Sequence, residues 1–75
     1  MPEDIRLRLA RTVRRLRRKQ HITQQQLAEQ AELDYKHIQL VEGKRSPYVR
    51  LDTLEKLAKG LGMPLSGLMR EVERG

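Results

Sequence analysis

The sequence predicts an all-α fold of five short helices in one domain spanning residues 1–75. Three observations lead there. Apolar residues recur at three- and four-residue spacing, capping residues precede several of these stripes, and the aromatic residues that a sheet would use are nearly missing, with no Phe, no Trp and two Tyr. A chain of 75 residues can fill one core and no more.

Ile5, Leu9, Val13 and Leu16 lie on one stripe of a first helix expected from Glu3 to Gln20, with Arg6, Arg8, Arg11, Arg14, Arg15, Arg18 and Lys19 on its other faces. That basic run reads either as a solvated face or as a contact for a ligand. Thr23 and Gln26 have the form of a capping box, flanked by Ile22 and Leu27 at the spacing of a hydrophobic staple, so a second helix starts here. Leu33, Asp34 and Ile38 repeat the arrangement, with Asp34 as cap of a third helix running to Glu42. Between them Ala31-Glu32-Leu33 is long enough only for a tight turn, and the small Ala28 and Ala31 would let helices two and three approach closely. Two short helices joined in this way make a helix-turn-helix pattern over about residues 23–42.

Gly43 closes the third helix, where glycine can take a left-handed conformation at no steric cost. A basic loop from Lys44 to Arg50, containing Ser46-Pro47, follows. Asp52 and Glu55 suggest another capping box, and Leu51, Leu54, Leu57, Ala58 and Leu61 form the expected buried stripe of a fourth helix stopped by Gly62. Pro64 opens a fifth helix carrying Leu65, Leu68, Met69 and Val72, which read either as core or as a homodimer interface.

Sixteen Lys and Arg against ten Asp and Glu give a formal charge of +6, which draws polyanions, nucleic acid first and an anionic membrane surface second. Arginines interrupt the apolar residues near the N-terminus, so neither a signal peptide nor a membrane span is expected there. With no Cys and two His lacking suitable carboxylate spacing, no metal site is expected; a reducing, cytoplasmic setting fits. The hydroxyl, His and carboxylate residues form no nucleophile motif, so no catalytic residue, cofactor or small-molecule ligand is inferred.

The segment ITQQQLAEQAELDYKHIQLVEGKRSP resembles the phage-repressor and Cro-like, or XRE-like, helix-turn-helix family. The matching residues are Arg17, Thr23-Gln24, Leu27-Ala28, Ile38, Glu42, Gly43-Lys44-Arg45 and Pro47, with Leu54 to Leu61 matching the fourth helix. The resemblance implies a lambda-repressor-like DNA-binding domain with its helix-turn-helix at helices two and three. Where the family commonly has Gly in the turn this chain has Glu32, and a non-Gly residue at positive φ costs on the order of 1 kcal/mol, so a slightly reshaped turn is expected. The loop beyond Pro47 looks longer than the family's by about two residues.

With Ile38 and Val41 facing the core, a rotation of ~100° per residue puts Lys36 and Leu40 opposite, with His37 and Gln39 on the flanks. By resemblance, the start of this helix lies in the major groove, which makes Tyr35, Lys36, Gln39 and Leu40 the candidates for base readout. Lys36 suits guanine, Gln39 adenine and Leu40 a thymine methyl; Leu40 could instead face a partner protein, and Tyr35 could reach a phosphate. Candidate phosphate contacts are Gln24 and Gln25 at the amide end of helix two, His37, and Lys44, Arg45 and Arg50 from the basic loop, where Arg45 also reads as a solvated charge. The resemblance pairs Arg17 with Glu42 as a partly buried structural salt bridge.

The function implied is sequence-specific binding of double-stranded DNA by a transcriptional regulator, of repressor or controller type, acting as a homodimer at an operator in a bacterial or phage-like, nucleoid-associated setting. An adaptor or antitoxin that docks an acidic protein on the same fold is the alternative. The Leu33-Asp34 turn and small size bear a likeness to restriction-modification controller proteins, and phage Cro-type repressors and antitoxins are equally compatible.

Overall fold

The computed structural model describes residues 3–45 and 47–74; Ser46, within the expected basic loop, lies outside the described residues. The described residues form α1 (Ile5–Lys19), α2 (Gln24–Ala31), α3 (Tyr35–Glu42), α4 (Leu51–Gly60) and α5 (Leu65–Arg74), and include no strand. No helix among them is long and apolar enough to cross a membrane.

One core joins all five helices. Leu9, Val13 and Leu16 of α1 meet Leu27 and Ala28 of α2, Ile38 and Val41 of α3, Leu57 and Ala58 of α4 and Leu68 and Val72 of α5. Thus Leu68 and Val72, candidate interface residues on the sequence, are wholly buried within the single chain and cannot face a partner. The stripe on α5 satisfies the chain's own core first; Leu65 and Met69 at its margin remain partly exposed. At the opposite end of the expected pattern, Ile5 and Leu51 are 48% and 71% exposed, because each begins a helix that projects past the core.

Asp4 caps α1, accepting from the amide of Arg6 at 2.9 Å, so this helix starts later than the expected Glu3. The fourth helix departs further from expectation. It opens at Leu51 after Arg50, with no side-chain cap, and the Asp52 carboxylate accepts from the next amide, that of Thr53, at 2.9 Å; the Asp52–Glu55 capping box does not form.

Three helices end alike. After α1, α2 and α4 a residue at positive φ, His21, Glu32 or Gly62, turns the chain, and the next amide reaches back to a carbonyl five residues earlier: Ile22 to Arg17, Leu33 to Ala28, Met63 to Ala58. This is the Schellman closure, which satisfies carbonyls left over at a helix end. Glu32, at φ 57° and ψ 42°, takes the left-handed conformation of the glycine it replaces, so the turn keeps its form and the strain stays in the residue. Gly43, by contrast, has φ −80°, and the expected left-handed exit of α3 is not made. Its lack of a side chain serves packing: a Cβ there would lie 3.2 Å from the carbonyl oxygen of Gln39.

α2 and α4 approach each other closely at Gly60 and Ala31. A Cβ on Gly60 would fall 2.8 Å from the Cβ of Ala31 and 3.0 Å from its Cα. Ala31, expected to ease the packing of α2 on α3, thus also lets α4 pass directly behind the helix-turn-helix. Gln20 adds a polar tie, donating from Nε2 to the Leu61 carbonyl oxygen at 2.7 Å and so joining the ends of α1 and α4.

Candidate nucleic-acid interface

Thr23 sets the start of α2. Its hydroxyl accepts from the Gln26 amide at 3.0 Å while the Gln26 side chain accepts from the Thr23 amide at 2.8 Å, the complete capping box. These bonds leave Gln24 and Gln25 at the open amide end of α2, where the helix dipole favours an anion. Gln25 is exposed; Gln24 is half-buried, and its Nε2 donates to Glu42 Oε1 at 3.1 Å.

The same Glu42 receives Arg17. Nε and Nη2 of the guanidinium donate to the two carboxylate oxygens at 2.7 and 3.0 Å, and Nη1 donates to the Ile22 carbonyl at 2.9 Å. Only 11% of the Arg17 side chain and 3% of that of Glu42 remain exposed. One carboxylate therefore links the end of α1, the start of α2 and the end of α3. The fork matches the geometry that makes guanidinium and carboxylate bind in a bidentate way.

Asp34 precedes α3 in an extended conformation but its side chain makes no capping hydrogen bond, contrary to expectation. Ile38 and Val41 face the core; Tyr35, Lys36, Gln39 and Leu40 face outward, Leu40 being 51% exposed, and His37 is half-buried at the flank. Gln39 Nε2 donates to the Tyr35 hydroxyl oxygen at 3.1 Å, one turn away, so these two candidates form a joined polar surface.

Lys44 and Arg45 line a cleft with Asp4, Arg6 and Leu7 at the start of α1, whereas Gln24 lies with Arg14, Arg17 and Arg18 near its end. From Leu7 to Arg17 the helical rise is about 15 Å, comparable with the ~12 Å width of a major groove. The two sets of phosphate candidates thus lie toward opposite ends of α1. Arg50 lies apart from them, its Nε 3.3 Å from Asp52 Oδ1, in a separate cleft with Leu51, Glu55 and Leu65.

Two groupings could not be read from the sequence. Arg14 and Arg18, members of the basic run of α1, share a four-residue spacing off the core stripe, but nothing in the sequence showed which neighbour that face meets. The other group is apolar: Tyr48, 81% exposed, stands over the Arg6 guanidinium at 4.1 Å and borders a shallow groove with Ile5, Val49, Leu54 and Met69. The Arg6 guanidinium in turn holds Asp4 by contacts as short as 2.7 Å, and this fork lowers the Asp4 carboxyl to a pKa of about 2. Across the molecule, Arg15 donates to Glu71 at 2.9 Å, tying α1 to α5 and lowering the carboxyl pKa of Glu71. Among the described residues no group of His and carboxylate side chains is arranged to hold a metal ion.

A short capped helix, a tight left-handed turn and a second helix with a polar outer face, braced from behind by α1 and α4, define a helix-turn-helix DNA-binding domain. Residues 12–72 match the Cro/C1-type helix-turn-helix DNA-binding domain, and the chain belongs to that family. It is similar to the Control protein C.MunI of Mycoplasma sp, 37% identical over 73 residues that span 95% of this chain and 96% of that protein. The fold is also that of the wild-type Restriction-Modification Controller Protein C.Esp1396I, with a TM-score of 0.85 at 20% identity over 97% of this chain and 95% of that one. A single-residue variant of the same controller gives a TM-score of 0.86 at 22% identity, covering 99% and 92% of the two chains.

Proposed function

We propose that this chain is a controller-type transcriptional regulator which binds a short duplex operator as a homodimer, in the cytoplasm and without catalytic activity. The observation that carries the reading is the outer face of α3: Lys36, Gln39 and Leu40 are exposed side by side on a helix whose inner face is locked into the core. Lys36 donates to a guanine edge, Gln39 pairs with adenine and Leu40 packs on a thymine methyl, while Tyr35 steadies Gln39. Gln24, Gln25, Lys44 and Arg45 hold phosphates on either side, with His37 at the flank. The likeness to proteins named as control or controller proteins favours that role over a Cro-type repressor or an antitoxin.

A homodimer is supported by the apolar groove between α1, α4 and α5. Ile5, Tyr48, Val49, Leu54 and Met69 form its exposed or partly exposed lining, an apolar surface that a second copy would cover. Two copies double the number of base pairs read and give the operator two related half-sites.

Selection from a random duplex library tests the proposal. The expected result is an enriched motif of two half-sites about one or more helical turns apart, bound by a species of twice the monomer mass in sedimentation. Failure to enrich any motif, with affinity that does not respond to salt, overturns the DNA reading. A single unpaired half-site bound by a monomer overturns the dimer.

A further inference from the structure

We propose that Arg14 and Arg18 of α1 form a clamp for a single DNA backbone phosphate, beside the base-reading face and separate from the contacts of α2 and the basic loop. The inference deepens the DNA-binding reading above and rests on it.

The clamp is built from one cleft. Arg14, Arg17 and Arg18 line it together with Gln24, Gln39, Glu42 and Gly43. Three guanidiniums therefore share the space with one carboxylate, and that carboxylate already accepts both Arg17 bonds and one from Gln24. Arg14 and Arg18, half-buried and exposed respectively, have no ion-pair or hydrogen-bond partner among the described residues. Arg6 holds Asp4, Arg11 holds Glu3 and Arg15 holds Glu71, while the Nε of Arg8 is buried without a hydrogen-bond partner away from this cleft. Of the α1 arginines without a hydrogen-bond partner, Arg14 and Arg18 are the ones that line the cleft with Gln24 and Gln39.

Their spacing argues against a role in folding. At positions i and i+4 on one helix two like charges are neighbours and weaken the helix, and here no acid relieves them. An anion does. A phosphate oxygen accepts two guanidinium forks well, and Gln39 at the rim of the cleft places that phosphate next to the bases that α3 reads. The basic run of α1 that on sequence alone read as solvated or ligand-binding thus includes both internal ion pairs and this pair on the cleft.

The test measures binding of the full chain to random-sequence duplex at salt concentrations from 50 to 200 mM. Each phosphate contact contributes about 0.9 to the slope of log affinity against log salt. The double variant Arg14→Gln with Arg18→Gln is expected to lower the slope by about 1, so that the affinity lost across this range shrinks by about 3.5-fold, and each single variant to lower it by no more than that. Lys56→Gln, which removes the same charge from exposed α4, is expected to leave the slope unchanged, and Arg14→Lys with Arg18→Lys to retain it. The free glutamine variants should unfold at or slightly above the temperature of the parent chain. Slopes for the arginine variants equal to that of Lys56→Gln overturn the clamp while leaving DNA binding intact. A flat salt response from the unaltered chain overturns both.

Discussion

Arg17 grips Glu42 through two parallel hydrogen bonds of 2.7 and 3.0 Å, closing the end of α1 onto the end of α3. With 3% of its side chain exposed, Glu42 has no water to replace a lost partner. Arg17→Met is therefore expected to destabilise the fold by about 3–5 kcal/mol, since it strands a buried charge. The double variant Arg17→Met with Glu42→Leu should recover much of that loss. Urea unfolding of all four proteins checks this; a double variant as unstable as Arg17→Met alone would contradict it.

Gly60 and Ala31 touch almost backbone to backbone, with 2.8 Å available between their Cβ positions where a methyl is added. Gly60→Ala gains up to about 1 kcal/mol of helix propensity but forces α2 and α4 apart. The net expectation is a loss of about 1–3 kcal/mol, measured by denaturant unfolding, with weaker operator binding because α2 carries Gln24 and Gln25.

The left-handed ends can be tested as a set. Glu32→Gly and His21→Gly should each stabilise by about 1 kcal/mol by removing strain at φ 57° and 59°. The exposed Lys59–Glu32 ion pair, 3.0 Å long, offsets little when removed. Gly62→Ala should do the opposite, because nothing crowds that position except its own backbone at φ +75°. Melting temperatures that fail to move in opposite directions would remove the strain argument.

Acid should loosen the molecule over a defined window. Asp4 titrates at about 2 in the fold against an ordinary value of 3.8, held down by the Arg6 fork, and Glu3, Glu32 and Glu71 are lowered by Arg11, Lys59 and Arg15. A carboxyl lowered in the folded state contributes stability above its unfolded pKa and loses it as pH falls toward the folded one. Melting temperature is therefore expected to hold above about pH 5 and fall between about pH 4 and 2. Asp4→Asn keeps a capping side chain and should remove that residue's share of the fall.

On DNA, Lys36→Ala should relax preference at one base position, whereas Lys44→Ala should weaken all sequences alike and reduce the salt slope by about 1. Competition between operator variants and random duplex separates the two. The reverse pattern would mean that α3 does not dock by this face.

Much of this arrangement could be read from local chemistry. Thr23 and Gln26 specify their capping box with no help from the rest of the chain, and the Ile38–Val41 stripe gives the outward face of α3. What could not be read depends on partners distant in sequence. Leu68 and Val72 look the same whether they meet Leu57 or a second chain. Leu51 fits a helical stripe yet lies beyond the end of the core. Gly43 looks like a left-handed exit, but its position is decided by the carbonyls of its own last turn. The Arg14 and Arg18 pair shows itself only once the fold brings Gln24, Gln39 and Glu42 to the same cleft.

Glu42 also holds Gln24, so the carboxylate that braces α3 sets the position of a phosphate-contact candidate on α2. The distance between Gln24, proposed to meet the backbone, and α3, proposed to read the bases, is thus fixed before any duplex arrives. Little conformational freedom then remains to be lost on docking, and the domain should meet DNA as a rigid gauge, rejecting a duplex whose groove has the wrong width even where its bases match.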